Sequence, residues 1–204
     1  MKKGQVTIFV IIAILIIAVI ILFVALRPEV GTKNLIPKEI QPIDNSVMEC
    51  LRLTSENALV RIGNQGGYFL IFDEQAIYNR IPYYFDGNLK IIPTQEEVEQ
   101  NLEGFVYNEL SFCILNFKNF RNEFEIKHDL KEVDVEILNE NVRFALKYNL
   151  NIFEIVSNTS YQLNDFVIEI PIRLNRIYEV TQKIVNEQSQ HPKSICLSCL
   201  YDLG

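Results

Sequence analysis

From Val6 to Leu26 the chain reads VTIFVIIAILIIAVIILFVAL, with Thr7 as its only polar side chain and no charge, glycine or proline. Seventeen of these 21 residues are Ile, Leu, Val or Phe. At ~1.5 Å per residue a helix of this length spans roughly 32 Å, enough for a hydrocarbon core of ~30 Å. On insertion scales the stretch favours the bilayer by roughly 5–10 kcal/mol. The pattern predicts a transmembrane helix over 6–26, preceded by a short N-terminus over 1–5. The apolar core is longer than the ~7–15 residues of a cleaved secretory signal, and no small-x-small site follows it. It reads as an uncleaved signal-anchor. Lys2 and Lys3 stand before the span, and the distal flank mixes Arg27, Lys33 and Lys38 with Glu29, Glu39 and Asp44. The positive-inside bias puts the N-terminus in the cytoplasm and the rest outside.

Beyond Leu26 the periodicity changes several times. Arg27 to Ile43 holds three prolines and one glycine with little periodicity, and reads as a tether over 27–43. A folded domain is expected over 44–204. Ser46-Val47-Met48-Glu49 has the form of a capping box, followed at helical spacing by Val47, Leu51, Thr54, Ala58 and Ile62, with Gly63 to Gly67 as the stop. Tyr68–Phe72 and Ile81–Phe85 read as strands, with Asp86-Gly87-Asn88 turning the chain toward Leu89–Ile92. Thr94-Gln95-Glu96-Glu97 is a second capping box, opening a helix expected to run to about Phe117 with Val98, Leu102, Phe105 or Val106, Leu110 and Cys113 on its buried side. Val133, Val135 and Ile137 alternate. Val142 to Ile152 alternates six times, the clearest strand in the chain, with Phe144, Leu146 and Leu150 toward the core. Phe124–Lys127 and Phe166–Ile170 add shorter strands. Asn175 to Gln190 reads as a helix with Ile177, Val180, Ile184 and Val185 on one side. The fold class is α+β: an N-terminal transmembrane helix, then an antiparallel sheet covered on one face by helices.

Charge narrows the partners. Setting aside Lys2, Lys3 and Arg27, 16 basic residues face 26 acidic ones, a net charge of −10. Such a domain repels phosphate backbones, so nucleic acid is not an expected partner. The expected partners are the lipid bilayer and other envelope proteins or filament subunits.

Chemistry is sparse. No nucleophile–base–orienter set is legible, and HExxH, GxSxG and P-loop patterns are absent. No cofactor motif is present. His128 and His191 are the only histidines. Glu96, Glu97, Glu99 and Glu103 crowd the start of the second helix, where the helix dipole favours negative charge; acid–base work there would need two carboxylates of unequal burial. Tyr68, Tyr78, Tyr83, Tyr84 and Phe85 form the richest aromatic cluster, read either as core packing or as a stacking surface for glycan or peptide.

Four cysteines, Cys50, Cys113, Cys196 and Cys199, allow two disulfides outside the cytoplasm. Cys196-Leu197-Ser198-Cys199 is also compatible with a redox pair or half a metal site, with Cys50 and Cys113 as the further thiolates. Cys50 and Cys113 sit on two helices expected to lie side by side, so their pairing is the favoured bridge. Asn158-Thr159-Ser160 is the only N-x-[ST] sequon, making Asn158 a glycosylation candidate.

Lys2-Lys3-Gly4-Gln5 followed at once by an apolar run resembles the class III signal peptides of archaeal type IV pilin-like proteins. The resemblance implies cleavage between Gly4 and Gln5 and an apolar helix packed in a filament core. It covers about 25 residues. Phe9 stands where pilins usually carry Glu. The same start is similar to that of uncharacterised archaeal single-span membrane proteins with a KKGQ-type start and an external domain. Three functions are therefore in play: a membrane-anchored envelope protein displaying an acidic domain, a pilin-like filament subunit, and an anchored thiol-active or hydrolytic enzyme.

Overall fold

A computed structural model describes residues 36–69, 77–78, 81–87 and 89–193. The apolar stretch over 6–26, the Gly4–Gln5 processing candidate and the Cys196–Cys199 motif lie outside the described residues. Among the described residues no helix is long and apolar enough to cross a membrane. The chain divides into two units between Pro37 and Lys38, and the second is the subject below. Its elements in order are α1 (Gln41–Asn64), β1 (Ile77–Tyr78), β2 (Ile81–Pro82), α2 (Gln95–Ile114), a 3-10 segment (Leu115–Phe120), β3 (Phe124–Ile137), β4 (Val142–Glu154), β5 (Thr159–Ile170) and α3 (Leu174–Gln190). The architecture is α+β, with a three-stranded antiparallel sheet in the order β3-β4-β5.

The sheet has two unlike faces. Cross-strand partners put Val135, Phe144 and Ile168 in one row, and Val133, Leu146 and Phe166 in the next. With Val142, Tyr148, Leu150 and Ile152 these rows make an apolar inner face, buried almost throughout. The opposite face carries the row Glu136, Arg143, Glu169 and the row Glu132, Lys147, Asp165, and stays in water. Helix α1 covers the β5 side of the inner face and α2 the β3 side. The expected stripe of α1, Val47, Leu51, Thr54, Ala58 and Ile62, is buried, as are Val98, Leu102, Val106 and Leu110 of α2.

Two bulges break the sheet's phase. Leu130 pairs with Tyr148 and Glu132 with Lys147, leaving Lys131 as an extra residue in β3. Between Lys147–Asp165 and Leu150–Leu163, β4 spends two residues against one on β5. At the first bulge β3 changes which alternate positions face inward, and at the second β4 keeps its parity while its partner β5 changes. Phe124 and Ile126 are inward before the first bulge, and Val133, Val135 and Ile137 after it. The stretches expected as separate strands at 124–127 and 133–137 are therefore one strand, and the strand expected at 166–170 starts at Thr159.

The helix boundaries also differ from expectation. Helix α1 begins at Gln41, so the tether expected over 27–43 gives way to helix before Ile43. Pro42 occupies the first turn, where its missing N–H costs nothing. Ile40 and Ile43 are already buried. Ser46 is interior to the helix rather than its cap, and Glu49 pairs with Arg52 at 2.6 Å instead of closing a capping box. That hydrogen bond from Arg52 lowers the Glu49 pKa. The second box does form: the Thr94 hydroxyl accepts from Glu97 N–H at 3.1 Å, and the Glu97 carboxylate accepts from Thr94 N–H at 2.7 Å. Helix α2 stops at Ile114, short of Phe117, because Leu115, Asn116 and Phe117 all turn left-handed, with φ of 49°, 51° and 55°. That conformation costs roughly 1–2 kcal/mol per residue. It brings Phe117 back into the core, which offsets part of the cost. Tyr68 and Phe69 are not in a strand, and β2 is only two residues long, paired with β1. Helix α3 buries Val185 alone, so its expected apolar side is only partly covered, with Ile177 and Ile184 exposed.

The facing of β4 sets a prediction. Leu146 is wholly buried, whereas Lys147 points outward into an exposed pair with Glu132 at 2.5 Å. Leu146→Ala is expected to lower unfolding stability by about 2–5 kcal/mol. Lys147→Ala is expected to change it by no more than about 0.5–1 kcal/mol. Denaturant unfolding followed by circular dichroism measures both.

Candidate functional site

An apolar recess lies where the end of α1 meets the start of α2. Its C-terminal cap builds one wall. Gly66 and Gly67 have φ of +63° and +87°, and Gly67 N–H reaches Ile62 O at 2.8 Å, closing a Schellman-type turn. Pro93, Gln95 and Val98 form the opposite wall, Ile137 the floor, and Leu174, Ile177, Tyr178 and Thr181 of α3 the lid side. The cleft holds about 260 Å³, at the low edge of the ~300–1,000 Å³ usual for small-molecule sites.

Each polar side chain around it is engaged. Tyr84 donates its hydroxyl to Gly66 O. Gln95 donates to Glu99 Oε1 and to Ile137 O at 3.1 and 3.2 Å. The Tyr178 hydroxyl accepts from Gln182, and Thr181 donates to Ile177 O at 2.8 Å. The Ser55 hydroxyl and Gln65 Oε1 are buried without a partner, but neither residue lines the cleft. No group is left converging on a reacting atom. The recess offers apolar shape and no acid, base or nucleophile.

The carboxylates of α2 have structural work instead. Glu97 belongs to the capping box. Glu99 and Glu103, one turn apart, accept hydrogen bonds from the backbone N–H groups of Ile137 and Val135 at 2.8 and 3.2 Å. Those amides point outward from β3, an edge strand of the sheet. The two carboxylates satisfy donors that would otherwise invite another strand to pair. The sequence signal for this role is the four-residue spacing of Glu99 and Glu103 beside the Val98–Leu102–Val106 stripe.

An aromatic cluster missed in the sequence forms at the other end of the sheet. Phe117, His128 and Tyr148 meet with ring centroids 5.3–6.3 Å apart, and Tyr148 also approaches Phe166 at 6.4 Å. The Tyr148 hydroxyl and His128 Nδ1 are 3.0 Å apart. Burial pushes the Tyr148 pKa up to about 12. Of the tyrosine-rich segment expected as one cluster, Tyr68 and Tyr84 anchor their hydroxyls to the carbonyls of Ile91 and Gly66, while Tyr83 is exposed. His191 follows the last turn of α3, its N–H bonded to Glu187 O and Gln188 O.

Cys50 and Cys113 are joined in a disulfide, S–S 2.06 Å and Cα–Cα 5.6 Å. In this form neither sulfur is a thiolate; Cys196 and Cys199, the other two members of the four-thiolate alternative, lie outside the described residues. Among the described residues no group of His, Cys, Asp and Glu is arranged to hold a metal. Asn158 sits exposed in the β4–β5 turn with φ of 53°. Asparagine tolerates that left-handed position better than most residues, which accounts for it without a glycan.

Compared with protein-family models, curated proteins and solved structures, the chain matches none.

Two predictions follow from this geometry. An unfolded tyrosine titrates near ~10. The native state keeps the Tyr148 proton up to about 12. Across that window the folded protein binds a proton the unfolded chain has lost, so stability falls as pH rises. Tyr148→Phe is expected to flatten that fall in urea melts taken at stepped pH; the half-buried Tyr68 and Tyr84, whose pKa values partial burial also raises, leave a residual slope. The glycines at the cleft separate in sign. A Cβ at Gly63 meets nothing within 4 Å, so Gly63→Ala is expected to gain about 0.5–1 kcal/mol of helix stability. A Cβ at Gly67 lands 2.9 Å from Pro93 Cγ on a left-handed backbone, so Gly67→Ala is expected to lose ~1 kcal/mol or more. Thermal melts of the two variants check the contrast.

Proposed function

We propose that this chain is a single-pass membrane protein of the cell envelope. In this reading Val6–Leu26 crosses the bilayer, the N-terminus is cytoplasmic, and the acidic α+β domain stands outside for structural or interaction work rather than catalysis. The observation that carries the reading is the Cys50–Cys113 bridge, because disulfides form and persist in oxidising compartments. The Lys2-Lys3 bias before the apolar run supports the same orientation. The engaged polar groups around the cleft, and carboxylates given to capping and edge protection, favour a display role over an enzymatic one.

The second reading is a pilin-like subunit processed between Gly4 and Gln5, favoured by the Lys2-Lys3-Gly4-Gln5 start. Mature N-terminal sequencing separates the two, since Gln5 as first residue selects the pilin.

Cysteine labelling tests location. A membrane-impermeant maleimide added to intact cells is expected to leave Cys50 and Cys113 unmodified, and to modify both after an impermeant reductant, as read by peptide mass spectrometry. Modification only after lysis places the domain inside and sinks the reading. Opening the bridge closes off a stabilisation of about 4 kcal/mol for a loop of this size, so reduced protein is also expected to melt earlier.

A further inference from the structure

The domain has two unlike ends. The disulfide joins the first half of α1 to the last turn of α2, while Ile62 at the end of α1 and Val98 at the start of α2 share the cleft. The helices are therefore antiparallel, and the start of α1, where the chain enters the domain, lies at the end of α2. The 3-10 segment follows α2 at that pole. The β4–β5 turn joins it there: Ile155 N–H donates to Glu123 O at 2.9 Å, and Ile155 shares a shallow recess with Asn116 and Phe117.

Three of the four most exposed apolar side chains among the described residues lie at this entry pole. Among the described residues four large hydrophobics are more than 60% exposed: Phe112 at 71%, Leu115 at 62%, Val156 at 85%, and Val60 at 64%. The first three belong to the pole, with Ile155 beside them; Val60 lies near the far end of α1. Lys118 and Arg121 are exposed on the same segment.

We propose that this pole docks on the bilayer, with Phe112, Leu115, Ile155 and Val156 inserted at the headgroup–acyl boundary of the membrane that Val6–Leu26 crosses. The inference rests on the anchored reading above. The occupant follows from chain connectivity. The apolar run ends at Leu26 and the domain begins near Ile40, so 13 residues, at most about 45 Å when extended, tie this pole to the membrane. That length lets the domain stand away from the lipid, but three of its most exposed hydrophobics lie at the pole where α1 begins. Interfacial insertion takes apolar side chains of this kind out of water without asking the backbone to enter hydrocarbon. Lys118 and Arg121 would lay their stems along the same surface and present charge to lipid phosphates.

The chain has no tryptophan, so single-tryptophan reporters are clean. Full-length Val156→Trp, Phe112→Trp and Val60→Trp variants would be reconstituted in phosphatidylcholine vesicles brominated near the headgroup end of the acyl chains. Trp at 156 and at 112 is expected to emit blue-shifted and to lose most of its emission to bromine. Trp at 60 is expected to stay red-shifted, unquenched by bromine and open to aqueous iodide. Equal behaviour at 156 and 60 overturns the docking. Shielding of 156 from iodide without bromine quenching means a second protein copy covers the pole, and also overturns it. A glycan found on Asn158, two residues from Val156, overturns it as well, because a glycan cannot share that surface. Vesicle flotation and alkaline extraction are run in parallel. A chain that stays membrane-integrated while all reporters are unquenched defeats the docking alone. A chain that fails to float defeats the anchor with it.

Discussion

A three-stranded sheet with one apolar face cannot exist in water until something covers that face. Here the demand falls on β4, whose inward residues from Val142 to Ile152 lie at the middle of the sheet and are buried without exception. Two helices meet it, α1 over β5 and α2 over β3. Every other feature follows from fitting that pair. The helices run antiparallel, so their stripes interlock along their length. The Cys50–Cys113 bridge crosses between them over 63 residues of chain and restricts how far the unfolded state can expand. The Schellman turn at Gly66–Gly67 and the Thr94 box end one helix and start the next, fixing how the connection passes across the open end of the pair.

Covering one face leaves the edges. Among the described residues strand β3 has no neighbour beyond it, and its outward amides meet Glu99 and Glu103 from the same helix that covers its inner side. A carboxylate accepts from a backbone N–H more strongly than a neutral group does, and it repels an incoming strand of this acidic protein. The outer face is managed by charge: rows such as Glu132, Lys147 and Asp165 keep it wet. The net acidity of the domain is thus spread over a sheet face, a sheet edge and a helix start. Each portion has a local structural reason, and none requires a ligand.

The strand whose phase never breaks was the one legible without the structure. Val142 to Ile152 alternates cleanly because its inward positions keep one parity throughout. The bulge at Lys131 moves β3 from even to odd inward positions, and a reading by alternation stops at such a shift and restarts beyond it. The same shift near Asn164 hid Tyr161 and Leu163 from the strand that was read only from Phe166. Proline misled at the start of α1. Pro42 belongs to a proline-bearing stretch that reads as tether, while at the first turn of a helix it fits without cost. The end of α2 was hidden for a different reason. No glycine marks the left-handed run from Leu115 to Phe117. It is held by the return of Phe117 to the core against His128 and Tyr148, a tertiary contact that local sequence does not encode.

The candidate site divides along the same line. The Cys50–Cys113 pairing was legible because it needed only two amphipathic helices on one sheet face, and periodicity shows both. The cleft was not, because it requires α3 to lie against the α1–α2 junction, and α3 has a weak hold on the fold. Polar contacts tether it at both ends, Arg173 to Glu140 at 2.8 Å and Asn186 to Lys90 at 2.9 Å, while it buries little beyond Val185. A wall held this lightly opens and closes more readily than the disulfide-tied helix pair. The cleft wall thus rests on few buried contacts, while the entry pole lies beside the bridge and the Phe117–Tyr148 cluster.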